Sequence, residues 1–278
     1  MKYTLIGYPL GHSMSPWIHE RLFMLSNRKA EYNLTEFPPE QLAEKIPELK
    51  KLKGFNITIP YKTDMLAYMQ ELHETAKRYS AVNCVATDSN GKSYGYNTDC
   101  DGFLRSVENM PLDKKVLLIG CGGVGRMMAT EAVIHGADLT ISEPNQEKAN
   151  ALAEELYKNY QNAKIRIAQA DKLDENFDFI MNASPVGMYP NINACPVSDN
   201  LIQKCEAVFD VIYNPTETLL VKKAKAFGKK AVGGSAMLVW QAVRAHEIWD
   251  NDSYDLEDIQ KLISDMEQEI NQLFPVKE

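Results

Sequence analysis

The sequence predicts an α/β protein of two domains, one of them a doubly wound parallel sheet that is inserted into the other. The chain has 278 residues, which exceeds the usual size of a domain with a single core. Between residues 104 and 235, short β-rich runs alternate with helical stretches, and this order is typical of a parallel sheet covered by helices. After Gly234 the sequence indicates helices only.

The domain boundaries are predicted near residues 103 and 235. Residues 1–103 combine strand candidates such as YTLIGY and GFNITI with two helix starts marked by proline, so they predict a second α/β domain. The helices of residues 236–278 are predicted to return to this domain and to make it discontinuous. A cleft between the two domains would then be available for a ligand.

Composition and charge exclude several classes of protein. Hydrophobic residues make up 45% and charged residues 24% of the chain, as in ordinary globular proteins. No apolar run reaches the roughly 18 residues of a membrane span and the N-terminus has no signal-peptide pattern, so we predict a cytoplasmic protein without membrane contact. The net charge of −8, without a basic block, argues against nucleic-acid binding. Five cysteines without a CxxC pair predict reduced thiols and no metal site.

A G-x-G-x-x-G motif stands inside VLLIGCGGVGRMMA, directly after an apolar strand candidate and at the start of a helix. Gly120 would make the tight turn, Gly122 would let the backbone approach a pyrophosphate, and Gly125 would let helix and strand pack closely. Gly123 and Val124 would offer backbone N–H groups at the helix N-terminus, whose dipole attracts phosphate. The alternative is a strand-to-helix turn without a ligand, and the context favours a Rossmann-type dinucleotide site.

The residue at the end of the second strand of this domain, Glu143, predicts which dinucleotide binds. A carboxylate at this position hydrogen-bonds the hydroxyls of the adenosine ribose and would repel a 2′-phosphate. No arginine lies between Gly136 and Lys164 to clamp such a phosphate. NAD is therefore the predicted cofactor and NADP the less favoured one, unless Glu143 is a solvated strand end and Lys148 assists a phosphate.

Two serines and a proline in GYPLGHSMSPWIHE indicate a helix start that could hold an anion. Ser15 followed by Pro16 fits an N-cap and a first helical position, and Ser13 lies two residues earlier. Hydroxyls beside the positive end of a helix suit a carboxylate, although a helix cap without a ligand is the simpler alternative. The histidines His12 and His19 have no spaced partner, so we predict that they pack or cap.

Lys62, Asp99 and Gln241 are further polar candidates. The run GFNITIPYKTDML predicts a strand to Ile59 and a helix from Pro60, which would place Lys62 near a positive helix end and favour release of its proton. YGYNTDCDGF predicts another helix start at Asp99, whose carboxylate would pair with Lys62 if both starts face one cleft. Gln241 interrupts an apolar helix stripe and either bonds within the core or faces a ligand. A solvated lysine and a capping aspartate are the alternatives.

Eight short motifs occur in order over residues 1 to about 250: GYPLGHSMSP, FNITIPYK, AVNC, GYNTDCDG, GCGGVG, NASPVGM, YNP and MLVWQA. Together they resemble the shikimate dehydrogenase family, including its quinate/shikimate branch. The resemblance implies a substrate domain joined to a dinucleotide domain. It also implies an enzyme that interconverts shikimate and 3-dehydroshikimate by hydride transfer with a nicotinamide cofactor.

The same resemblance implies roles for single residues. Lys62 would transfer the proton with Asp99 as its catalytic partner, and Ser13 and Ser15 would bind the substrate carboxylate. Other contacts to the substrate would come from Thr58, Asn83, Tyr213 and Gln241, and the nicotinamide would be bordered by Asn182, Ser184, Met188 and Gly234.

Several positions depart from the family pattern. Glu143, Pro144 and Asn145 stand where NADP-using biosynthetic members usually carry Asn-Arg-Thr, and this favours the NAD-using quinate/shikimate branch. His246 and Glu20 are further departures without an assigned mechanism.

Quinate stays open as a second substrate, and a strictly biosynthetic NADP-dependent enzyme is the main alternative. A silent ligand-sensing domain, or a related dehydrogenase of another small acid or a folate, is less favoured. We expect a monomer or homodimer.

Overall fold

The computed structural model describes residues 1–11 and 13–275, and these residues form two compact units. The first unit contains Met1–Gly102 and Val239–Ile263. The second contains Phe103–Leu238 and the described residues from 264 onward. His12, one of the two weak histidine candidates, lies outside the described residues.

The end of the chain is divided between the units in a way that the sequence does not indicate. The sequence places all of residues 236–278 with the first domain, whereas the described residues from 264 onward belong to the second unit. There the Thr216 hydroxyl donates a hydrogen bond to Asn271 Oδ1 at 2.9 Å. Periodicity shows that a helix has an apolar face, but it does not show which sheet that face packs against.

The first unit is built on a six-stranded mixed sheet. Its strands are β1 (Lys2–Gly7), β2 (Glu31–Glu36), β3 (Gly54–Ile57), β4 (Glu71–Leu72), β5 (Cys84–Thr87) and β6 (Ser93–Tyr96). They lie in the order β2-β1-β3-β5-β6-β4; β1 is parallel to β2 and β3, β4 is parallel to β6, and β5 is antiparallel to both neighbours. The central strand β3 is buried along its whole length, which brings the polar side chain of Asn56 inside the unit.

Helices connect the strands of this part of the chain. They are α1 (Ser15–Leu25), α2 (Leu42–Leu49), α3 (Glu74–Tyr79) and α4 (Asp99–Ser106), with 3₁₀ helices at Pro39–Gln41 and Asp64–Tyr68. One buried cluster joins side chains of the sheet to side chains of α2: Ile6, Phe55, Ile57, Leu42, Ile46 and Leu49. A main part of the apolar core of the first unit therefore lies between β1, β3 and α2.

The second unit is a six-stranded sheet whose described strand pairs are all parallel. Its strands are β7 (Lys115–Ile119), β8 (Asp138–Ser142), β9 (Lys164–Ile167), β10 (Phe179–Asn182), β11 (Ala207–Asp210) and β12 (Lys230–Val232). The order β12-β11-β10-β7-β8-β9 is doubly wound, and the predicted fold class is confirmed. The winding reverses between β7 and β10, and a crevice at such a reversal is where open α/β sheets bind ligands.

The helices of the rest of the chain alternate with the strands as far as β12 and then follow one another, as predicted. They are α5 (Gly123–Ile134), α6 (Gln146–Asn159), α7 (Asp199–Lys204), α8 (Leu219–Ala226), α9 (Gly234–Asp250) and α10 (Leu256–Leu273), with a 3₁₀ helix at Ala170–Lys172. Strands β10 and β11 are buried throughout, as expected for parallel strands that helices cover on both faces. The sequence does not predict β12, because three residues are too few to show a strand period.

His19 is a packed residue of the first unit, as predicted. Its Nδ1 lies 3.0 Å from His246 Nε2, and its ring stacks on that of Tyr32 with centroids 3.9 Å apart. Burial lowers the pKa of both histidines, to about 4 for His246, so both rings are neutral at pH 7. His246, which departs from the family pattern, is therefore the polar partner of His19.

Candidate active site

Lys62 and Asp99 meet in the first unit. Lys62 Nζ lies 2.6 Å from Asp99 Oδ2, and the two side chains are 27% and 17% exposed. The contact is a charge-assisted hydrogen bond that solvent still reaches. An amine held in this way keeps a defined position and can exchange a proton with a bound ligand.

Asn83 holds the Asp99 carboxylate from the other side. Its Nδ2 donates to Asp99 Oδ1 at 2.8 Å and to Thr98 Oγ1 at 3.1 Å, while its Oδ1 accepts the Thr98 backbone N–H at 2.6 Å. Asn83 and Thr98 are both buried. A buried amide thus fixes the start of α4 and leaves Asp99 Oδ2 to face the amine. Three of the sequence candidates, Lys62, Asn83 and Asp99, lie together.

Lys62 reaches this place from a turn and not from a helix. Strand β3 ends at Ile57, and residues 59–63 form turns before the 3₁₀ helix Asp64–Tyr68. The predicted helix from Pro60 is therefore wrong, and so is the expectation that a helix dipole acts on Lys62. The turn is held by tertiary contacts, because Tyr61 is fully buried and the Val82 N–H donates to Lys62 O at 2.8 Å.

Ser13 and Ser15 lie at the start of α1, although not in the predicted arrangement. The N-cap residue is Met14, which makes no side-chain cap, and Ser15 is the first helical residue. The predicted N-cap at Ser15 is therefore wrong; the Ser15 N–H donates to Ser13 Oγ at 3.2 Å. Burial raises the pKa of Tyr32 well above its ordinary value, and a hydrogen bond with Ser15 opposes this rise.

Tyr32 and Asn56 connect the serines to Asn83. The Tyr32 hydroxyl donates to Asn56 Oδ1 at 2.8 Å, and Asn56 Nδ2 donates to the backbone oxygen of Asn83 at 3.3 Å. The sequence does not single out either residue, because a polar residue inside a strand run indicates only a sheet face. Thr58 and Gln241 belong to the same unit and are half-buried.

The glycine loop of the second unit has the shape that a dinucleotide phosphate requires. Gly120 has a φ of +93°, and a Cβ on Gly125 would lie 2.1 Å from Gly120 O, so only glycines fit these two positions. Gly122 and Gly123 are exposed, and apart from their chain neighbours no described residue has an atom within 4 Å of a Cβ on either. Helix α5 begins at Gly123 without a side-chain cap. Its first N–H groups are therefore open to an anion.

Glu143 follows β8 and turns its carboxylate toward the glycine loop. Its Oε2 accepts the Cys121 N–H at 3.0 Å, and its Oε1 accepts the Asn145 N–H at 3.1 Å. Burial, together with the Glu143 charge, raises the pKa of the Cys121 thiol to about 11. The two hydrogen bonds hold the carboxylate beside the loop, where a Rossmann-type sheet binds the adenosine ribose.

Two loops, after β10 and after β11, and the first residue of α9 carry the other candidates of this unit. Asn182 Oδ1 accepts the Ser184 N–H at 3.1 Å and the Ser184 hydroxyl at 2.7 Å. Met188 is 45% exposed and Tyr213 is half-buried. A Cβ on Gly234 would lie 2.0 Å from a backbone oxygen. These loops follow the strands on one side of β7, whereas Glu143 follows β8 on its other side. The two halves of a dinucleotide would lie on these two sides.

Known proteins match both units. Residues 5–85 match the family model of the shikimate dehydrogenase substrate binding domain, and residues 116–226 match that of the saccharopine dehydrogenase NADP binding domain. The chain is 38% identical to the shikimate dehydrogenase (NADP(+)) of Methanococcus maripaludis strain C7 over an alignment of 267 residues, and the match covers 94% of this chain and 95% of that protein. The chain belongs to the shikimate dehydrogenase family.

Solved structures of shikimate dehydrogenases have the same fold. A chorismate mutase/shikimate 5-dehydrogenase fusion protein from Clostridium acetobutylicum matches with a TM-score of 0.86 and 33% identity, covering 98% of both chains. The shikimate 5-dehydrogenase of Listeria monocytogenes, solved with shikimate and NAD, matches with a TM-score of 0.83 and 25% identity over 94% of this chain and 96% of that one. The chain is therefore an NAD(P)-dependent oxidoreductase, and the predicted enzyme class is confirmed.

The comparisons do not support the predicted preference for NAD. The Methanococcus shikimate dehydrogenase is named for NADP(+), and the matched dinucleotide-domain model is also named for NADP. These names favour NADP, whereas the residue directly after β8, Glu143, favours NAD on physical grounds.

The described residues contain neither a cluster of metal ligands nor a helix suited to cross a membrane. Within residues 1–11 and 13–275, no group of three or more His, Cys, Asp or Glu side chains is arranged to hold a metal ion. In the same part of the chain, no helix combines the length and the apolar character that a membrane crossing needs. All five cysteines are described, and none of them forms a disulfide.

Proposed function

We propose that this shikimate dehydrogenase family member interconverts shikimate and 3-dehydroshikimate by reversible hydride transfer. The observation that carries the proposal is the Lys62–Asp99 pair at 2.6 Å, with Asn83 on the far carboxylate oxygen. Reduction of a ketone requires a proton donor at its oxygen, and this pair is built to provide one. The names of the relatives support shikimate as the substrate.

Lys62 exchanges the proton. A bound nicotinamide supplies or accepts the hydride at the ring carbon. During reduction, the Lys62 ammonium donates a proton to the oxygen that gains negative charge as the C=O bond becomes a C–OH bond. During oxidation, the neutral amine takes the hydroxyl proton. Asp99 orients Nζ and stabilises its charged form, and Asn83 keeps Asp99 Oδ2 turned toward the amine.

The start of α1 anchors the substrate carboxylate. Ser13 and Ser15 lie at the positive end of an 11-residue helix, and the helix makes no side-chain cap there. Two hydroxyls and a helix N-terminus form a suitable site for a small anion. The hydroxyl groups of the ring would be bound by Thr58, Asn83, Asp99, Tyr213 and Gln241.

The open glycine loop fits a dinucleotide. The pyrophosphate would be held by the N–H groups of Gly122, Gly123 and Val124, because no atom of the described residues fills the space beside the two exposed glycines. Gly120 and Gly125 would shape the loop. The nicotinamide would be bordered by Asn182, Ser184, Met188 and Gly234.

We further propose that NAD is the preferred cofactor. The Glu143 carboxylate is fixed by the N–H groups of Cys121 and Asn145, so it cannot swing away without losing both hydrogen bonds. A 2′-phosphate beside it would place like charges in contact. The Listeria relative is solved with NAD, which is consistent with NAD use within the family.

An NADP-dependent enzyme is the second candidate, and the names of the relatives favour it. In that case the exposed Lys148 would neutralise the 2′-phosphate, and the Glu143 carboxylate would move. The NAD-dependent and the NADP-dependent enzyme would use the same substrate residues and would differ only in the contacts beside the adenosine ribose.

Initial rates of the purified full-length protein test both candidates. Shikimate and quinate are each oxidised with NAD and with NADP, and the four values of kcat/KM are compared. The highest value for shikimate with NAD supports the proposal, and the highest value with NADP supports the second candidate. Faster oxidation of quinate would make quinate the substrate. Absence of turnover in all four mixtures, with cofactor binding retained, would indicate a ligand-sensing protein.

A further inference from the structure

Asp210 is a buried carboxylate at the end of β11 for which the proposed reaction has no direct use. It is 0% exposed and pairs in register with Asn182, the last residue of β10. Its described hydrogen-bond partners are all uncharged. Burial raises the pKa of Asp210 to about 6, so the group is ionised at pH 7 although its surroundings disfavour the charge. A buried charge without a charged partner lowers the stability of the folded state, which suggests that Asp210 contributes to function.

Asp210 joins three segments of the chain. Its Oδ1 accepts the Asn182 side-chain N–H and the Ile212 backbone N–H, both at 3.1 Å, and its Oδ2 accepts the Thr218 hydroxyl at 2.7 Å. Thr218 is the N-cap of α8, where it accepts the Val221 N–H at 3.3 Å. One side chain thus connects the loop after β10, the loop after β11 and the start of α8.

The acceptor-only character of the carboxylate sets the orientation of Asn182. An ionised carboxylate cannot donate, so Asn182 must present its NH₂ group to Asp210 and its oxygen away from it. That oxygen is the one that accepts the Ser184 N–H and hydroxyl, and the same NH₂ group donates to Val186 O at 3.2 Å. The conformation of the loop after β10 therefore depends on the acceptor oxygen that Asp210 presents to Asn182.

The loop after β11 depends on the same carboxylate. Asp210 holds the Ile212 N–H, and the Ile212 oxygen accepts the Gly234 N–H at 3.0 Å. Tyr213 follows directly in this loop. Asp210 is thus connected to four of the candidates for the nicotinamide and substrate. Asn182 and Ser184 lie at the end of β10 and in the loop after it, Tyr213 lies in the loop after β11, and Gly234 begins α9.

We propose that Asp210 is a positioning residue that holds both loops in the geometry required for hydride transfer. The inference rests on the proposed function for the location of the nicotinamide. Asparagine has nearly the same size but accepts at only one of its two ends. It must therefore lose either the Thr218 hydrogen bond made by Oδ2 or the two loop hydrogen bonds made by Oδ1.

The test compares Asp210→Asn with Asp178→Asn. Asp178 lies at the amino end of the same sheet, where its carboxylate accepts the Lys115 N–H at 2.9 Å, so it is a matched control away from both loops. We measure kcat, the Kd of the better dinucleotide, the Kd of ADP and the midpoint of thermal unfolding. Asp210→Asn should lower kcat by about 10- to 100-fold, the loss that misplacement of reacting groups by about 1 Å causes. The dinucleotide should bind more weakly, whereas the Kd of ADP and the unfolding midpoint should not worsen.

Wild-type kcat and dinucleotide affinity in Asp210→Asn would overturn the inference. A loss of kcat that is accompanied by a lower unfolding midpoint and weaker ADP binding would also overturn it, because Asp210 would then only support the fold. If the wild-type protein does not oxidise shikimate, the proposed function fails. The ratio of the Kd for the dinucleotide to that for ADP, compared between wild type and Asp210→Asn, still decides the role of Asp210.

Discussion

Replacement of Lys62 by alanine tests the proton-transfer step directly. The substitution removes the amine that lies 2.6 Å from Asp99 Oδ2 and leaves Asp99 bonded to Asn83. A positioned general acid–base contributes about 10²- to 10⁴-fold to a rate, so its loss should raise the activation barrier by about 3 to 5 kcal/mol. We therefore expect kcat to fall by about 10²- to 10⁴-fold.

Substrate binding and stability should change much less. The carboxylate of shikimate is proposed to bind Ser13 and Ser15, which the substitution does not touch. The Lys62–Asp99 pair is 27% and 17% exposed, and a pair that water still reaches contributes about 1 kcal/mol or less to folding. The shikimate Kd and the unfolding midpoint of Lys62→Ala should therefore stay near the wild-type values.

Steady-state kinetics, calorimetric shikimate binding and thermal unfolding check these expectations together. Lys92→Ala is the matched control, because Lys92 pairs with Glu71 at an exposed place of the same unit. Lys62→Arg should keep the ion pair but lose most of the turnover, since a guanidinium does not release its proton. A kcat of Lys62→Ala close to that of the wild type would refute the proposed role of the amine.

Three further predictions concern the second unit. Glu143→Ser removes the charge that opposes a 2′-phosphate, so the kcat/KM ratio of NADP to NAD should rise by about tenfold or more, and an unchanged ratio would speak against the ribose contact. Gly122→Ala should keep the unfolding midpoint, because its φ of −67° and ψ of −177° suit alanine and no atom lies within 4 Å of the new Cβ. The methyl group should nevertheless weaken dinucleotide binding by about tenfold or more, and tight binding would disprove the pyrophosphate site. The pKa of Asp210 is about 6 in the folded protein and 3.8 ordinarily, so between these pH values the folded state binds a proton that the unfolded state does not bind. The free energy of unfolding should therefore fall by up to about 3 kcal/mol as the pH rises from 3.8 to 6. Urea unfolding over this range should show that contribution in the wild type and not in Asp210→Asn.

Features that depend on local geometry could be predicted from the sequence. The order of strands and helices in the second unit follows from alternating apolar runs. The glycine spacing predicts the turn, because a side chain at Gly120 or Gly125 would clash with the backbone nearby. Gly120 indeed has a positive φ, and Gly125 packs against it. The start of α4 at Asp99 is another local feature, since the pattern around Thr98 is typical of a helix start.

Features that depend on tertiary packing could not be predicted in this way. A proline pattern suggested a helix at Lys62, but the buried side chain of Tyr61 holds this segment in a turn. The same pattern suggested an N-cap at Ser15, where the structure has Met14 as the cap residue. Local propensities differ by about 1 kcal/mol or less between such conformations, so burial of one large side chain decides between them.

The sequence by itself determined the α/β class, the doubly wound sheet, the dinucleotide loop and the family, because each rests on residues that are neighbours along the chain or on motifs in a fixed order. Only the tertiary structure decided that Lys62 lies against Asp99, that Asn83 orients this carboxylate, and that Asp210 joins two loops. These contacts connect residues 16 to 37 positions apart within the first unit and 2 to 28 positions apart around Asp210. Their partners are chosen by the packing of strands and helices, which the local pattern of residues does not encode.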